Sequence, residues 1–386
     1  MDKRRVLLFK GQSQYDVLRF FTDELNSAFQ KLGLPTVVID LLSPNFNQQL
    51  LSVLQEGNLL FALGFNAVGQ ELQVEGKPLY DLMKVPYVAF YVDHPVYQIP
   101  RIQYSMRYKI SSFVDKGHLD FVKKYISPKL FTVFIPHGGS VAATDKNSIL
   151  PLSKRTVPLF FAGSYRDPDE YLQSLNISED IALFIRSIAE IMLANEKCNI
   201  QTALELYCNT IGVELTTDYF PLIQVADYYF RLVKRKLIIL SLEEVGLIVC
   251  GNGWEQLKSR KTKLQIMPPK SYSDILHIMG NTKLFLSIVP TFTKGSHERV
   301  FSTMLSGAVS LADKSEYMEQ TFISGTHYLG YDSSVALPDL VAKTLEQDAY
   351  LEKIAMAGQT LAETQHRWEN RAVDILKAVN QFLQQI

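Results

Sequence analysis

The residues from Thr293 to Asp313 carry the densest group of potentially functional side chains in the sequence. They form a pattern of polar loop, short helix and apolar strand, and Gly307 is expected to end the helix. Lys294, His297 and Arg299 lie where the loop becomes the helix. The free N–H groups and the dipole of a helix amino end favour an anion at such a place. A guanidinium matches phosphate oxygens in pairs, so Arg299 is the residue that we expect to bind a diphosphate; the alternative is a solvated surface arginine.

Several other loops that follow apolar strands carry side chains suited to a phosphate, a sugar or a base. Gly163 and Ser164, with Arg166, follow LFFA, while Asn252, Gly253 and Trp254 follow LIVC. Together these groups would suit a sugar nucleotide, which we call the donor. The candidate donor-binding residues are Gly163, Ser164, Arg166, Asn252, Gly253, Trp254, Pro269, Tyr272, Lys294, His297, Glu298, Arg299 and Thr303. Three of these have structural alternatives: Trp254 packs between sheet and helix, Tyr272 only caps a helix, and Arg166 is solvated.

Candidate catalytic groups lie in the first part of the chain. Asp93 and His94 follow the apolar strand PYVAFYV, and His137 follows FTVFIP. A carboxylate or an imidazole at a strand end is a reasonable general base for an acceptor hydroxyl. The alternatives are a turn stabilised by Asp93 and a hinge at His137.

The loop Gly11, Gln12 and Ser13 after the first strand is polar and is expected on the acceptor side, unless it is a plain strand–helix turn. It lacks G-x-G-x-x-G, so no dinucleotide fingerprint is present. The acidic group Asp167, Asp169 and Glu170 is interpreted as the first turn of a helix, and no metal site is expected.

The elements that must position these residues alternate between apolar strands and helices. The strand candidates in the first half are VLLF, TVVIDL, NLLFALG, PYVAFYV, SSFVD and FTVFIP. Uninterrupted apolar strands separated by helices indicate a parallel sheet covered on both faces, as in Rossmann-like domains. The composition between Ser140 and Pro158 is typical of a linker.

The same pattern restarts after this linker. LFFAGSYRD, LIVCGNGW, KLQIMPP, LFLSIVP and AVSLAD are strand candidates, a long helical region spans about Glu170 to Lys236, and Pro338–Ile386 is largely helical. We therefore predict an α/β chain of two Rossmann-like domains facing each other across a cleft. The expected divisions are a first domain at 1–150, a second domain at 151–365 and a final helix at 366–386.

The bulk composition excludes several classes of protein. The 386 residues are 47% hydrophobic and carry a net charge of −1, so general nucleic-acid binding is not expected. Cys198, Cys208 and Cys250 match no zinc spacing, and neither a signal peptide nor a membrane-spanning stretch is evident, so a cytoplasmic protein is expected. The basic run RLVKRK at Arg231–Lys236 favours a solvated helix face, with an anion or membrane contact as the alternative.

A family resemblance rests on YVDHP at Tyr91–Pro95, FFAGSYRD at Phe160–Asp167, VCGNGW at Val249–Trp254 and GSHERVFSTMLSGAVSLAD at Gly295–Asp313. In this order they resemble GT-B glycosyltransferases of group 1, most of all the spore-maturation CgeB-like group. The resemblance implies metal-independent transfer of a sugar from a UDP-, GDP- or dTDP-linked donor, without a further cofactor. The resemblance also implies an acceptor side at 1–150, a donor side at 151–365 and a final helix that packs back on the first domain. The acceptor would be a glycan, a protein or a small molecule, and the chain a monomer or a homodimer.

The chain departs from that family at one position. Ser302 stands where the motif R-V-F-E-A-M-A-x-G has Glu, which in related enzymes commonly binds the donor ribose or sugar. Glu298 is nearby, but we expect it at another helical phase. The alternatives to a transferase are therefore a catalytically inactive nucleotide-sugar-binding or scaffolding protein of the same fold, and a sugar-nucleotide epimerase.

Overall fold

The computed structural model describes residues 4–142, 150–195, 198–257, 263–289 and 291–386. The chain divides into two compact units. Unit 1 combines Met1–Ser140 with His366–Ile386, and unit 2 is Val141–Gln365. Part of the linker predicted at Ser140–Pro158 lies outside the described residues.

Unit 1 is an α/β unit in which helices cover a six-stranded sheet. In chain order it contains β1 (Arg5–Lys10), α1 (Val17–Lys31), β2 (Thr36–Asp40), α2 (Phe46–Glu56), β3 (Leu59–Phe65), β4 (Gln73–Val74), β5 (Lys77–Pro78), α3 (Leu79–Met83), β6 (Tyr87–Tyr91), α4 (Ile99–Gln103), β7 (Lys109–Phe113), α5 (Lys116–Phe121) and β8 (Thr132–Phe134), and the last helix of the chain is assigned below. The large strands are parallel in the order β2-β1-β3-β6-β7-β8, and β4 and β5 form a separate antiparallel hairpin.

Unit 2 repeats this plan with a larger helical insertion after its first strand. It contains β9 (Val157–Ala162), α6 (Pro168–Ser174), α7 (Glu179–Ala194), α8 (Ile200–Thr210), α9 (Phe220–Ser241), β10 (Ile248–Cys250), β11 (Gln265–Met267), α10 (Tyr272–Gly280), β12 (Thr282–Ser287), α11 (Glu298–Leu305), β13 (Val309–Asp313), α12 (Glu316–Thr321), β14 (Leu329–Tyr331), α13 (Leu337–Leu345) and α14 (Asp348–Gln365). The helix α15 (Trp368–Leu383) then belongs to unit 1. The strands of unit 2 are all parallel in the order β11-β10-β9-β12-β13-β14.

The strand orders show where each unit is suited to bind a ligand. In open α/β sheets, ligands bind beyond the carboxyl ends of the strands, where the order of the strands reverses. The reversal falls between β9 and β12 in unit 2, and between β1 and β3 in unit 1. The loop Gly163–Asp167 and the amino end of α11 therefore come together at the reversal point of unit 2.

The two Rossmann-like sheets confirm the predicted fold class, because every apolar run interpreted as a strand forms one. The predicted helical region in unit 2 is confirmed as α6 to α9, and the helical end of the chain as α13 to α15. The hairpin β4–β5 and the edge strand β14 were not predicted. β14 follows the turn Ser324–Tyr328 and is only three residues long, too short to show a periodic pattern.

In unit 1, α15 packs against α1 around buried aromatic side chains. The Trp368 ring lies 4.9 Å from Phe21 and 5.7 Å from Phe65, centroid to centroid, and its indole N–H donates to Ser140 Oγ at 3.1 Å. The Gly139 N–H donates to the His366 carbonyl at 2.7 Å. A side chain at Gly138 would meet the Trp368 ring at 2.5 Å, so only glycine fits there.

Glu24 lies where α1 contacts α15, and its protonation should make the stability of the protein depend on pH. Burial, followed by the neighbouring Glu369 carboxylate, raises the pKa of Glu24 to about 7, although Lys31 and Arg367 act in the opposite direction. The folded state therefore holds this proton more tightly than the unfolded chain, whose pKa is about 4.5. The free energy of unfolding consequently falls as the pH rises from about 4.5 to about 7.

Glu24→Gln should raise the midpoint of thermal unfolding at pH 8 by roughly 3 °C or more and leave it unchanged at pH 4.5. The exposed Glu75→Gln is the control, with no expected change at either pH. Equal effects of Glu24→Gln at both pH values would contradict the assignment.

Candidate functional site

The loop after β9 is held by three side chains that approach three successive main-chain carbonyls. Arg299 Nη1 donates to the Ala162 carbonyl at 2.5 Å, Trp254 Nε1 donates to Gly163 at 2.8 Å, and Arg235 Nη1 donates to Ser164. These donors come from α11, the loop after β10 and α9. The carboxyl end of β9 is thus the meeting point of three separate elements.

Arg235 is a further candidate site residue that the sequence analysis did not single out. Its guanidinium lies 5.7 Å from the Phe161 ring centroid, and its Nε is buried without a hydrogen-bond partner among the described residues. Burial, followed by the like charges of Arg231 and Arg299, lowers the pKa of Arg235 to about 9. Two guanidinium groups therefore share the β9 loop, and both of their recorded loop partners are neutral carbonyls.

The run RLVKRK does not form the solvated face that was favoured. Besides Arg235, it places Lys234 Nζ 2.7 Å from Asp313 Oδ1 and Lys236 Nζ 2.7 Å from Asp167 Oδ2. The interpretation was wrong because a run of basic residues on a helix has the same sequence pattern whether its partners are water or fixed carboxylates.

The amino end of α11 adds the polar groups predicted there. His297 is the N-cap residue, and its Nδ1 accepts a hydrogen bond from the Arg299 N–H at 3.5 Å. Burial is the largest cause of the lowered pKa of His297. Glu298 is buried beside His297, and its Oε1 lies 3.7 Å from Arg299 Nε. Lys294 is half-buried in the preceding loop.

The loops after β9 and β10 lie in direct main-chain contact. The Tyr165 N–H donates to the Asn252 carbonyl at 2.8 Å, and the Gly163 N–H donates to Cys250 at 2.9 Å. Gly253 has φ of +86°, and a side chain there would lie 2.0 Å from the Tyr165 carbonyl oxygen. Asn252 remains exposed at the end of β10, and Pro269 remains exposed beyond β11.

Four of the predicted donor-binding residues have side chains that are buried or bonded to neighbouring elements. Trp254 is fully buried and stacked on Tyr165 at 5.1 Å, so it supports the loop and offers no free face to a base. Thr303 is fully buried, with its hydroxyl 4.0 Å from Met279 Sδ. Arg166 donates to Ser174 Oγ at 2.7 Å and lies over the Tyr171 ring, so its side chain packs on α6.

Tyr272, the fourth of these residues, is buried and contacts Ser302, the residue at which the chain departs from the family motif. Its hydroxyl lies 3.2 Å from Ser302 Oγ, and Ser302 has no exposed surface. Glu298 is one helical turn before Ser302, and residues four apart share a helix face. The expectation that Glu298 lies at another helical phase was therefore wrong.

In unit 1, the predicted catalytic residues lie beyond the carboxyl ends of β6 and β8, the two strands on either side of β7. Asp93 is half-buried, and its Oδ2 accepts from Asn66 Nδ2 at 3.0 Å; Asn66 Oδ1 in turn accepts from the Val92 N–H at 3.1 Å. His94 is buried, with its Nδ1 accepting from the Val96 N–H at 3.2 Å. Asp93 is thus the more accessible of these two candidates.

A histidine that was not predicted lies between His94 and His137. The His118 ring is buried in α5, 4.9 Å from the His94 ring centroid. Burial, followed by His94 and His137, lowers the pKa of His118 well below its usual value. His137 is itself buried, 6.0 Å from the Phe21 ring. The three imidazoles therefore form a buried group.

The loop Gly11, Gln12 and Ser13 has features of both predicted alternatives, a strand–helix turn and an outward-facing polar loop. Ser13 Oγ accepts from the Leu18 N–H at 3.0 Å, and the Gly11 carbonyl accepts from Arg19 at 3.3 Å, as in a structural turn. Gln12 is exposed at the carboxyl end of β1, so it alone faces outward.

The contact between the β9 and β10 loops can be tested at Gly253. Gly253→Ala places a methyl group against the Tyr165 carbonyl at a positive φ, so it should lower the free energy of unfolding by about 2 kcal/mol or more. Gly280→Ala at the end of α10 is the matched control, because its added methyl meets nothing within 4 Å. Urea unfolding of both variants measures the difference. Equal stability of the two variants would contradict the close approach of the loops.

Part of the chain is similar to a known protein family. Residues 234–377 match the family model described as glycosyl transferase-like. No curated protein matches the chain. None of the described helices has the length and apolarity needed to cross a bilayer.

Solved structures match the chain over its whole length. Sucrose-phosphate synthase from Thermosynechococcus elongatus has 10% sequence identity and a TM-score of 0.53, covering 100% of both chains. HepE from Anabaena, in complex with UDP and glucose, has 11% identity and a TM-score of 0.53, covering 98% of this chain and 100% of that one. A glycosyltransferase from Rickettsia africae has 11% identity and a TM-score of 0.51, with 99% of each chain covered. Residues 234–377 are thus similar to the glycosyl transferase-like family, and the chain has the GT-B fold of these solved structures.

Proposed function

We propose that this GT-B-type glycosyltransferase takes a sugar from a nucleoside diphosphate sugar whose diphosphate is bound by Arg235 and Arg299. The observation that carries the proposal is the placement of both guanidinium groups on the β9 loop, at the reversal point of the unit 2 sheet. In the described part of the chain, the buried Arg235 Nε has no hydrogen-bond partner, and a guanidinium in this state beside a second cation favours an anion.

The same groups suit the chemistry of transfer. When the bond between the sugar and the diphosphate breaks, negative charge develops on the leaving diphosphate. Fixed guanidinium donors and the amino end of α11 stabilise that charge without rearranging. Because two arginines supply this positive charge, we propose that the transfer needs no metal ion.

The nucleoside would lie at the ends of β10 and β11. Asn252, Pro269 and Lys270 are exposed there, next to the β9 loop that carries the arginines. HepE, which shares the fold, was solved with UDP and glucose, and this supports UDP as the first nucleotide to test.

Unit 1 would supply the acceptor side and the general base. Asp93 is partly accessible at the end of β6, and Asn66 orients its carboxylate. A carboxylate held in this way can take the proton of an acceptor hydroxyl. The three cysteines are free and buried, which supports a reducing cytoplasm as the location.

Arg235→Met and Arg299→Met should each weaken UDP binding at least tenfold, because each removes one charge-assisted contact with the diphosphate. Isothermal titration calorimetry with UDP measures the effect, and circular dichroism checks that the variants are folded. Arg166→Met is the matched control, since Arg166 bonds Ser174 on α6. Unchanged UDP affinity in both arginine variants would refute the proposed diphosphate site.

Asp93→Asn should lower kcat for hydrolysis of UDP-glucose by about 10²-fold or more while leaving UDP affinity unchanged, because the amide cannot accept the proton. The exposed Asp120→Asn on α5 is the control and should keep wild-type turnover. Wild-type turnover in Asp93→Asn would remove Asp93 from the mechanism. UDP binding without any turnover in the wild-type protein would favour a binding protein of this fold, the alternative suggested by Ser302.

A further inference from the structure

A second concave site lies within unit 2, beside the arginines. It is a cavity of about 220 Å³ at the carboxyl ends of β12, β13 and β14. Its floor includes Val289, Asp313 and Tyr331, and the inserted helices α7 and α9 form its wall. Carboxyl ends of parallel strands are the usual position of ligand sites in such sheets.

The cavity is distinct from the proposed diphosphate site. Among the described residues that line it, none is Arg231, Arg235 or Arg299. The boundary contains Thr291, whose hydroxyl donates to Asp227 Oδ1 at 2.8 Å, and Asp227 Oδ2 lies 3.7 Å from Arg231. The buried Asp227 carboxylate thus lies between Thr291 on the cavity boundary and the partly exposed Arg231.

The charged groups of the cavity are balanced. Lys234 Nζ lies 2.7 Å from Asp313 Oδ1, and Lys314 Nζ lies 2.5 Å from Asp332 Oδ2. Asp313 Oδ2 also accepts from the Val289 N–H at 2.7 Å. Because each lysine already faces a carboxylate, an anionic ligand would be repelled by the acids as strongly as it is attracted by the lysines.

The remaining lining combines apolar surface with hydroxyl groups. Phe230, Leu237 and Met192 supply the apolar wall, and Ser333 and Ser334 lie at the polar end. The volume is below the roughly 300–1,000 Å³ typical of sites for drug-sized ligands, so a single small ring fits better than a whole nucleotide sugar.

We propose that this cavity binds an uncharged polyhydroxylated ligand of the size of one sugar ring. A hydroxyl group both donates and accepts, so it can bond a lysine and its paired carboxylate at once. The apolar wall formed by Phe230 and Leu237 covers the C–H face of such a ring. The ligand binds here independently of the nucleotide.

The test is a titration of the whole protein, by calorimetry or ligand-detected NMR, with glucose, mannitol, glucuronate and glucosamine. Glucose and mannitol should bind, and the two charged sugars should bind at least tenfold more weakly. Lys314→Met and Leu237→Trp should each weaken glucose binding at least tenfold, the first by removing a donor and the second by filling the cavity. Both should leave UDP affinity within twofold of wild type.

Lys283→Met is the matched control, because Lys283 forms a similar pair with Asp348 at 2.6 Å, at the opposite end of β12. It should change neither affinity. No binding of neutral sugars, stronger binding of a charged sugar, or wild-type glucose affinity in both cavity variants would overturn the proposal. Sugar and UDP titrations are separate, so failure to bind UDP would refute the proposed donor site and leave the sugar result intact.

Discussion

The carboxyl end of β9 is the constraint on which the organisation of unit 2 depends. A strand that ends in the middle of a sheet leaves its last carbonyls without ladder partners, and buried acceptors must be satisfied. Here the Ala162, Gly163 and Ser164 carbonyls are satisfied by side chains from α11, the β10 loop and α9. One short loop therefore sets the position of three elements, and it does so by bringing two positive charges together at the reversal point of the sheet.

This arrangement explains which parts of the structure could be predicted from the sequence. Long apolar runs such as NLLFALG and PYVAFYV can only be buried strands in a chain with regular helices between them, so the sheets were predictable. Arg299 could be proposed as a phosphate ligand from the sequence because it lies at the start of a predicted helix. Arg235 could not, because it lies in the middle of a long amphipathic helix, and only the fold of the insertion shows that it reaches the Ser164 carbonyl.

Trp254 is the opposite case, because the sequence suggested a ligand-binding role for a side chain that the structure buries. Trp254 follows a strand and a glycine-rich turn, a pattern that suits both base stacking and loop support. Trp254 supports the loop because the Gly163 carbonyl accepts a hydrogen bond from its indole N–H. The need for that hydrogen bond arises at the end of β9, so the residues around Trp254 do not reveal it. Ser302 is similar, since its hydroxyl bonds the Tyr272 hydroxyl inside the unit and Glu298 occupies the same helix face one turn earlier. Replacing the family glutamate thus leaves a carboxylate beside Arg299.

The two sites of unit 2 differ in how their charges are compensated, and this difference determines what each can bind. Arg235 bonds the neutral Ser164 carbonyl, and Arg299 bonds the neutral Ala162 carbonyl while Glu298 Oε1 lies 3.7 Å from its Nε. The Glu298 carboxylate offsets only part of the charge of the two guanidinium groups, so a positive field remains available to a ligand. Lys234 and Lys314 face carboxylates, so the cavity has little net field. The proposed diphosphate site would therefore select an anion through charge, and the proposed sugar site would select a neutral ligand through hydrogen bonds and shape. Asp227 connects the two environments, because it accepts from Thr291 at the cavity and lies 3.7 Å from Arg231 on the side of the arginines.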